Sequence, residues 1–492
     1  MSTTPVIAGF FPDPSVCRVG EIYYLVTSSF EYRPGVPLFT SRDLVEWTPS
    51  GSILTRPEQL RPTLGGASRG IFASTIRHYD GRFWMVTTHF EDIMKGQLIV
   101  SADDPRGPWS DATFIDGAIG IDPDLAWDED GVCHLTWAAH GIMSAPIDPE
   151  SGRMLAEPRR LWSGTGMASP EGPHLYRIGD YWYLLIAEGG TERGHSVSVA
   201  RSAGIEGPWE GAPNNPILSH RSTDLVVQNT GHADLVQRPD GSWAMVHLGT
   251  RPRGFTPMFH TNGRETFLAG IDWIDGWPVV VQDRFDVPHR DHSFVDRFEA
   301  PPLDDRWIAV GDFPDTFTNI DENGLILSAE PDTDAGAGRA AAPLLATRVR
   351  DLQWTAEVDF DPGVGSARFV VRIDPDHWYG IEVSPTMIEG KASVGPFVTT
   401  TGNVARTQRG TVRLRIRARK PPKTGQLFPT APDLVALTLI QADDSEVSFG
   451  EFDGRYLSTE VAGGFTGRVL AIEPLAGETL LTRFSYRTDA DA

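Results

Sequence analysis

Three carboxylates open three similar stretches of this sequence: Asp13 in FPDPS, Asp122 in IDPDL and Glu171 in SPEGPHL. Each precedes a short apolar run broken by a tight Gly turn, and they stand seven, nine and eight residues ahead of Gly20, Gly131 and Gly179. Like charges raise one another's proton affinity, so acids that converge in a hollow are costly unless chemistry uses them. Hydrolysis of a glycosidic bond uses such a set. One carboxylic acid protonates the departing oxygen, while a second carboxylate activates water or attacks the anomeric carbon. A third acid beside the first would keep its proton in place. Taken singly, an Asp before Pro is a common turn former; the shared register is what argues for convergence.

That register belongs to a repeat. A polar residue opens a short apolar run, a Gly turn follows, and a strongly apolar strand comes next. The pattern begins at Phe11, Phe72, Ile121, Ser169 and Gly231, with turn glycines Gly20, Gly81, Gly131, Gly179 and Gly241. A second marker, SRDLVEW at Ser41, SADDPRGPW at Ser101 and RSAGIEGPW at Arg201, follows three of the hairpins. Helical periodicity is scarce, and Gly and Pro separate runs rich in Val, Ile, Tyr, Phe and Trp. Five such units predict an all-β fold, a five-bladed β-propeller over residues 1–286. In a propeller the opening strand of each blade lines the axis. Asp13, Ser74, Thr75, Asp122, Asp124, Glu171, His232 and Asp234 are therefore expected at one mouth.

After a linker over 286–293 the texture changes. WTAEVDF at Trp354, ARFVVRI at Ala367, YGIEV at Tyr379, VRLRIRA at Val412 and LVALTLI at Leu434 alternate or run apolar. They predict a β-sandwich over residues 293–492, with an exposed loop at 332–342.

Composition narrows the function classes. The chain has 492 residues, 43 Lys+Arg and 66 Asp+Glu, for a formal charge of −23. Such an acidic surface repels polyphosphate and anionic membranes, so neither a nucleic acid nor a membrane is the expected partner. Cys17 and Cys133 are too few for a disulfide framework and lack a zinc spacing. The first residues show neither a basic nor an apolar leader segment, and no apolar run approaches the ~20 residues of a membrane span. The expectation is a cytoplasmic protein whose partner is an oligosaccharide, with homo-oligomerisation left open.

Taken together, GFFPDPS at Gly9, SSFEYRPGVPLFTSRDLVEW at Ser28, GGASRGIFASTIRHYDGRFW at Gly65, IDPDLAWD at Ile121, SPEGPHLY at Ser169, GHADLV at Gly231 and GRETFL at Gly263 resemble glycoside hydrolase family 43. The resemblance is to its β-xylosidase and α-L-arabinofuranosidase members, and it covers essentially the whole chain. It implies a propeller followed by a jelly-roll, concanavalin-like sandwich, and an inverting reaction that releases a terminal pentose from xylo-oligosaccharides or arabinoxylan fragments. By the same resemblance Asp13 is the general base, Glu171 the general acid, and Asp122 the carboxylate that orients the acid and raises its proton affinity. Inversion leaves room for a water, so Asp13 and Glu171 are expected roughly 6.5–9.5 Å apart.

The resemblance further implies that Arg264 reaches the innermost sugar, where a guanidinium offers a rigid fork of donors. The plainer alternative is a surface pair with Glu265. Phe30 and Phe72 would wall the sugar ring, or else serve as core aromatics. Many β-xylosidase relatives carry Trp and Pro where this chain has Phe72 and Ser74, which leaves the preferred pentose open. His232 matches an axial histidine that either touches the acid's surroundings or helps hold a cation. No cofactor is required on this reading, no metal ligand set is assigned, and calcium near His232 is left open for want of a specific oxygen-rich loop.

His289 and His292 imitate a metal spacing but fall in the linker. Arg413, Arg415, Arg417 and Arg419 read as a solvated or edge face, and Gly35, Gly65 and Gly66 as turn glycines. The rival from another class is a non-catalytic, lectin-like propeller, which would need the polar mouth but no separated acid and base.

Overall fold

A computed structural model describes residues 3–61, 66–329, 343–422 and 430–489; the loop expected at 332–342 and Gly65 lie outside the described residues. Five antiparallel sheets come first, each with its opening strand innermost: Ser15–Val19, Ile71–Tyr79, Ile121–Trp127, Glu171–Ile178 and Gln228–Gln237. Neighbouring opening strands touch in a ring, and the fifth touches the first. This is the expected five-bladed propeller. Its closure is made by Ile7 bridging to Thr266 and by Arg18 Nε donating to Gln237 O at 2.7 Å. The second strands read as nearly continuous apolar runs, as in Tyr181–Glu188, because neighbouring blades cover both of their faces.

The opening strands are irregular where they meet the mouth. Their ladders slip between Ile71 and Ser74, Ile121 and Asp124, Glu171 and His174, and Gly231 and Asp234. Such bulges re-aim side chains. Inside three of the slips, Asp122, Gly172 and His232 take the left-handed conformation at φ 57°, 55° and 45°, and Asp13 takes it at 56° just ahead of the first strand. Non-glycine residues held at positive φ cost of order 1–3 kcal/mol each and persist where the surroundings over-determine them.

Two residues further on, Ser15, Asp124, His174 and Asp234 form a second ring beneath the mouth. Arg77 enters it from the second blade, 2.8 Å from Asp124 and 2.8 Å from Asp234, and donates to His174 Nδ1 at 2.9 Å. Ser15 Oγ and Tyr176 Oη also donate to Asp234. All five blades are thereby tied at the axis, the second through Arg77, while Ser74 turns aside to Thr87 Oγ1 at 2.9 Å.

The strands that follow form two packed sheets of eight strands each. One runs Thr318–Asp321, Gly324–Ser328, Glu478–Thr488, Trp354–Asp361, Val412–Arg419, Leu434–Ile440 and Glu446–Asp453, with Phe294–Asp296 also paired to Glu478–Thr488. In Val412–Arg419 the apolar Leu414, Ile416 and Ala418 face the core. The alternating arginines face outward, but the strand is interior and not an edge. Arg413, Arg415, Arg417 and Arg419 pair with Asp359, Glu357, Asp489 and Glu451. The second sheet contains Ile308–Val310, Leu345–Arg348 and Val469–Ala476, and the first blade's connecting segment lends it Tyr32–Arg33.

Candidate active site

Asp13 is buried at the mouth. Ser28 Oγ donates to its Oδ2 at 2.5 Å and Arg264 Nη1 to its Oδ1 at 2.9 Å, with His232 Nδ1 3.7 Å away. Burial pushes this carboxyl up, but Arg264, His232 and the Ser28 hydrogen bond outweigh it and hold Asp13 below the usual carboxylate range. Arg264 is itself buried and also donates to Thr191 Oγ1 at 3.0 Å. The alternative pairing with Glu265 is not made, because Arg251 holds Glu265 bidentately.

Glu171 stands one residue before the left-handed Gly172. Burial, and then the charge of Asp13, push its carboxyl up to about 7 against the opposing pull of Arg264. Asp122 accepts the Gly172 N–H at 3.1 Å and so grips the backbone directly after the acid. Burial, and then the charges of Glu171 and Asp13, raise Asp122 well above the ordinary carboxylate range. Asp122 and Glu171 therefore titrate as one pair that shares a proton at neutral pH, the charge of either disfavouring ionisation of the other, while Asp13 stays ionised. His232 is buried, and burial pushes it down to about 4, so its ring is neutral. It packs so tightly on Gly172 that a Cβ there would lie 3.1 Å from the ring.

The remaining wall is aromatic. Phe30 and Phe72 lie with ring centroids 5.7 Å apart, and Phe90 stacks behind Phe72 at 5.2 Å. No repeat or motif marks the next ring in advance. Phe465, from the sandwich, lies 5.8 Å from Phe30 and 5.9 Å from Phe72, and the Arg264 guanidinium sits 5.5 Å from its centroid. Its N–H donates to Ser68 Oγ at 2.7 Å, and the Ser68 N–H donates to the buried Glu31 at 2.9 Å.

The segment carrying Phe465 is fastened by glycine contacts. A Cβ on Gly467 would stand 2.3 Å from Asn262 O, and one on Gly464 2.3 Å from Ser68 Oγ. Arg468 N–H adds a bond to Thr261 O at 3.1 Å, and Glu460 accepts from His260 Nδ1 at 2.8 Å. The only advance signal of this loop is its spelling, GGFTGR, an aromatic flanked by glycines.

His195 was also missed. It lies outside the opening strands, on Gly194–His195–Ser196 before Ser196–Ser202, and its Nε2 faces Glu171 Oε1 at 3.7 Å. Asp13, the carboxylate 3.7 Å from His232, is already taken by Arg264 and Ser28. Among the described residues no group of three or more His, Cys, Asp or Glu is gathered to hold a metal ion. His292 bonds Asp351, and Cys17 and Cys133 are buried free thiols.

Carboxyls of opposed protonation, enclosed by aromatic rings at the mouth of a five-bladed propeller, define a hydrolase of glycosidic bonds. The sequence model for glycosyl hydrolases family 43 matches residues 2–278, and the chain belongs to that family. It is 37% identical over 396 residues to a xylosidase/arabinosidase of Butyrivibrio fibrisolvens, covering 74% of this chain and 75% of the relative. It is 35% identical over 495 residues to the non-reducing end alpha-L-arabinofuranosidase BoGH43B of Bacteroides ovatus, covering 94% and 89%. The solved structure titled Bacteroides ovatus Xyloglucan PUL GH43B superposes with a TM-score of 0.87 at 31% identity over 99% of both chains.

Proposed function

We propose that this protein is an inverting, exo-acting glycosidase that removes a terminal β-D-xylopyranose or α-L-arabinofuranose from xylo-oligosaccharides or arabinoxylan fragments. The observation that carries the reading is the split in proton affinity within one pocket: Asp13 held low, Glu171 pushed up to about 7. Asp13, as carboxylate, takes a proton from the water that attacks the anomeric carbon. Glu171, as acid, gives its proton to the departing oxygen on the other side of the ring. Asp122 fixes the backbone beside Glu171 and, by its own charge, discourages Glu171 from ionising. Arg264 and the rings of Phe30, Phe72 and Phe465 enclose one sugar, and this enclosure supports release of single residues from a chain end.

No cofactor enters these steps. Calcium beside His232 would reveal itself as activity lost to a chelator and restored by the ion. The two unpaired thiols, Cys17 and Cys133, support a cytoplasmic site of action, which cell fractionation tests.

The deciding experiment is hydrolysis of paired nitrophenyl xylopyranoside and arabinofuranoside with proton NMR of the first anomer released. The inverted anomer is expected from whichever sugar is turned over. A retained anomer would overturn the assignment of Asp13 as base. Glu171→Gln is expected to cost ~10²–10⁴-fold in turnover of a sugar leaving group while sugar affinity persists. Unchanged turnover would remove Glu171 as the acid, and no turnover in the unaltered protein, with sugar still bound, would favour a binding protein.

A further inference from the structure

The imidazole of His195 is almost fully buried. Its Nδ1 lies 3.2 Å from Asn229 O. A carbonyl oxygen can only accept, so Nδ1 carries the hydrogen. Burial, and then the charges of His232 and Arg264, push this histidine down to about 3, so the ring is neutral. Its Nε2 is therefore a bare lone pair. That nitrogen has no hydrogen-bond partner among the described residues, and it lies 3.7 Å from Glu171 Oε1.

The arrangement is built into the backbone. A Cβ on Gly231 would stand 2.3 Å from Cε1 and from Nδ1 of this ring, so only glycine lets the fifth blade's opening strand pass against it. The ring is thus clamped between Gly231 and the carbonyl that sets its tautomer.

We infer that His195 is a positioning residue that acts through Glu171, its unprotonated Nε2 presenting a lone pair that favours the proton-bearing carboxyl over the carboxylate. The inference rests on the reading of Glu171 as general acid and adds the group that keeps it loaded. A lone pair repels a carboxylate and accepts from a carboxylic O–H, so it works in the same direction as Asp13 and Asp122 and against Arg264, the other charged groups around Glu171. After each turnover the newly formed Glu171 carboxylate faces that lone pair, which favours recovery of a proton from solvent.

The experiment compares pH profiles of kcat/KM on xylobiose and on a dinitrophenyl xyloside, whose leaving group needs little acid assistance; the corresponding arabinofuranosides serve if that is the sugar turned over. His195→Phe keeps the ring's bulk and removes the lone pair. Its high-pH limb is expected to fall by about one pH unit. The loss at neutral pH should be ~10-fold for the disaccharide and small for the dinitrophenyl glycoside. His195→Gln, which keeps an acceptor near Nε2, should restore the limb. An unmoved limb with equal loss on both substrates would overturn the inference.

Ring ¹⁵N NMR of the unaltered protein decides independently of any variant: a bare Nε2 at neutral pH supports the inference, and a protonated Nε2 overturns it. Glu171→Gln keeps the two readings apart. A high-pH limb that survives in Glu171→Gln removes the general-acid assignment itself. A limb abolished there but unmoved in His195→Phe removes only the role of His195.

Discussion

Asp122 acts through one carboxyl in two ways, one geometric and one electrostatic, and a single substitution separates them. Its Oδ2 accepts the Gly172 N–H at 3.1 Å, and an Asn at this position keeps an oxygen acceptor. Its charge and that of Glu171 repel, and Asn removes the charge. Glu171 is raised to about 7, so its working acid form is present below that pH and is lost as pH rises through it. With Asp122→Asn the repulsion goes, Glu171 ionises more easily, and the high-pH limb of kcat/KM is expected to move below 7. Activity at pH 7 should drop ~10-fold or more while most of it survives near pH 5. A loss equal at both pH values would leave Asp122 only its backbone contact. The low-pH limb belongs to Asp13 and should lie below the ordinary carboxylate value of 3.8 in both proteins. These acids were legible in the sequence because a repeat put them in register. The one-residue offset of Glu171 from Asp13 has a cause at this scale: Asp13, Asp122 and His232 occupy the left-handed position, whereas Glu171 precedes it and leaves that place to Gly172. His195 was not legible, since no repeat marks it and its approach depends on the absent side chain of Gly231.

Among the elements, the opening strands and the loop around Phe465 differ in how their places are set. The strands are set locally, by alternation, a turn glycine and a bulge, so five blades could be counted before any contact was known. The loop is set by contacts across the chain, Ser68 to Phe465 being 397 residues apart, and no local pattern encodes that. Tyr32–Arg33 escaped for the same reason: two residues of the first blade's connection find their partner at Ile308–Val310 in the sandwich. The loop is also where pocket shape can be altered without touching the acids. Phe465→Ala removes a ring from beside Phe30, Phe72 and Arg264 and is expected to raise KM ~10-fold with a smaller change in kcat, since a wall contact serves ground state and transition state alike. Gly467→Ala places a methyl against Asn262 O, a backbone atom that cannot swing aside. It should combine a similar rise in KM with a stability loss of ~1–3 kcal/mol from overpacking. Steady-state kinetics and thermal melts read both. A KM unchanged in Phe465→Ala would exclude the ring from the sugar's surroundings.

At the level of the whole molecule the sandwich both covers and completes the propeller. Phe10 and Tyr32, from the propeller's part of the chain, are buried with Ile308, Leu344, Ala346, Val370, Trp378, Val469 and Ala471 in one cluster. Arg348 stacks over both Phe10 and Phe11, at 4.5 and 4.4 Å. Polar contacts cross as well, an ion pair from Arg253 to Asp433 at 3.4 Å and a hydrogen bond between His260 and Glu460 at 2.8 Å. Cutting the chain before Phe294 would expose those rings, at ~1.5–3 kcal/mol for each large apolar side chain, and would remove Phe465 from the pocket. The axial knot of Arg77, Asp124, His174 and Asp234 lies wholly within the propeller and would survive the cut. Residues 1–293 are therefore expected to keep the means of closing five blades yet to come out insoluble or without measurable turnover. Solubility and hydrolysis of the better nitrophenyl glycoside read the outcome. The full-length Phe465→Ala protein is the control that separates the two contributions, because it lacks the pocket ring while retaining the interface. If it stays soluble with raised KM while the fragment precipitates, the sandwich serves the fold through its buried cluster and the chemistry through one loop. A soluble fragment with full turnover would strip the sandwich of both roles.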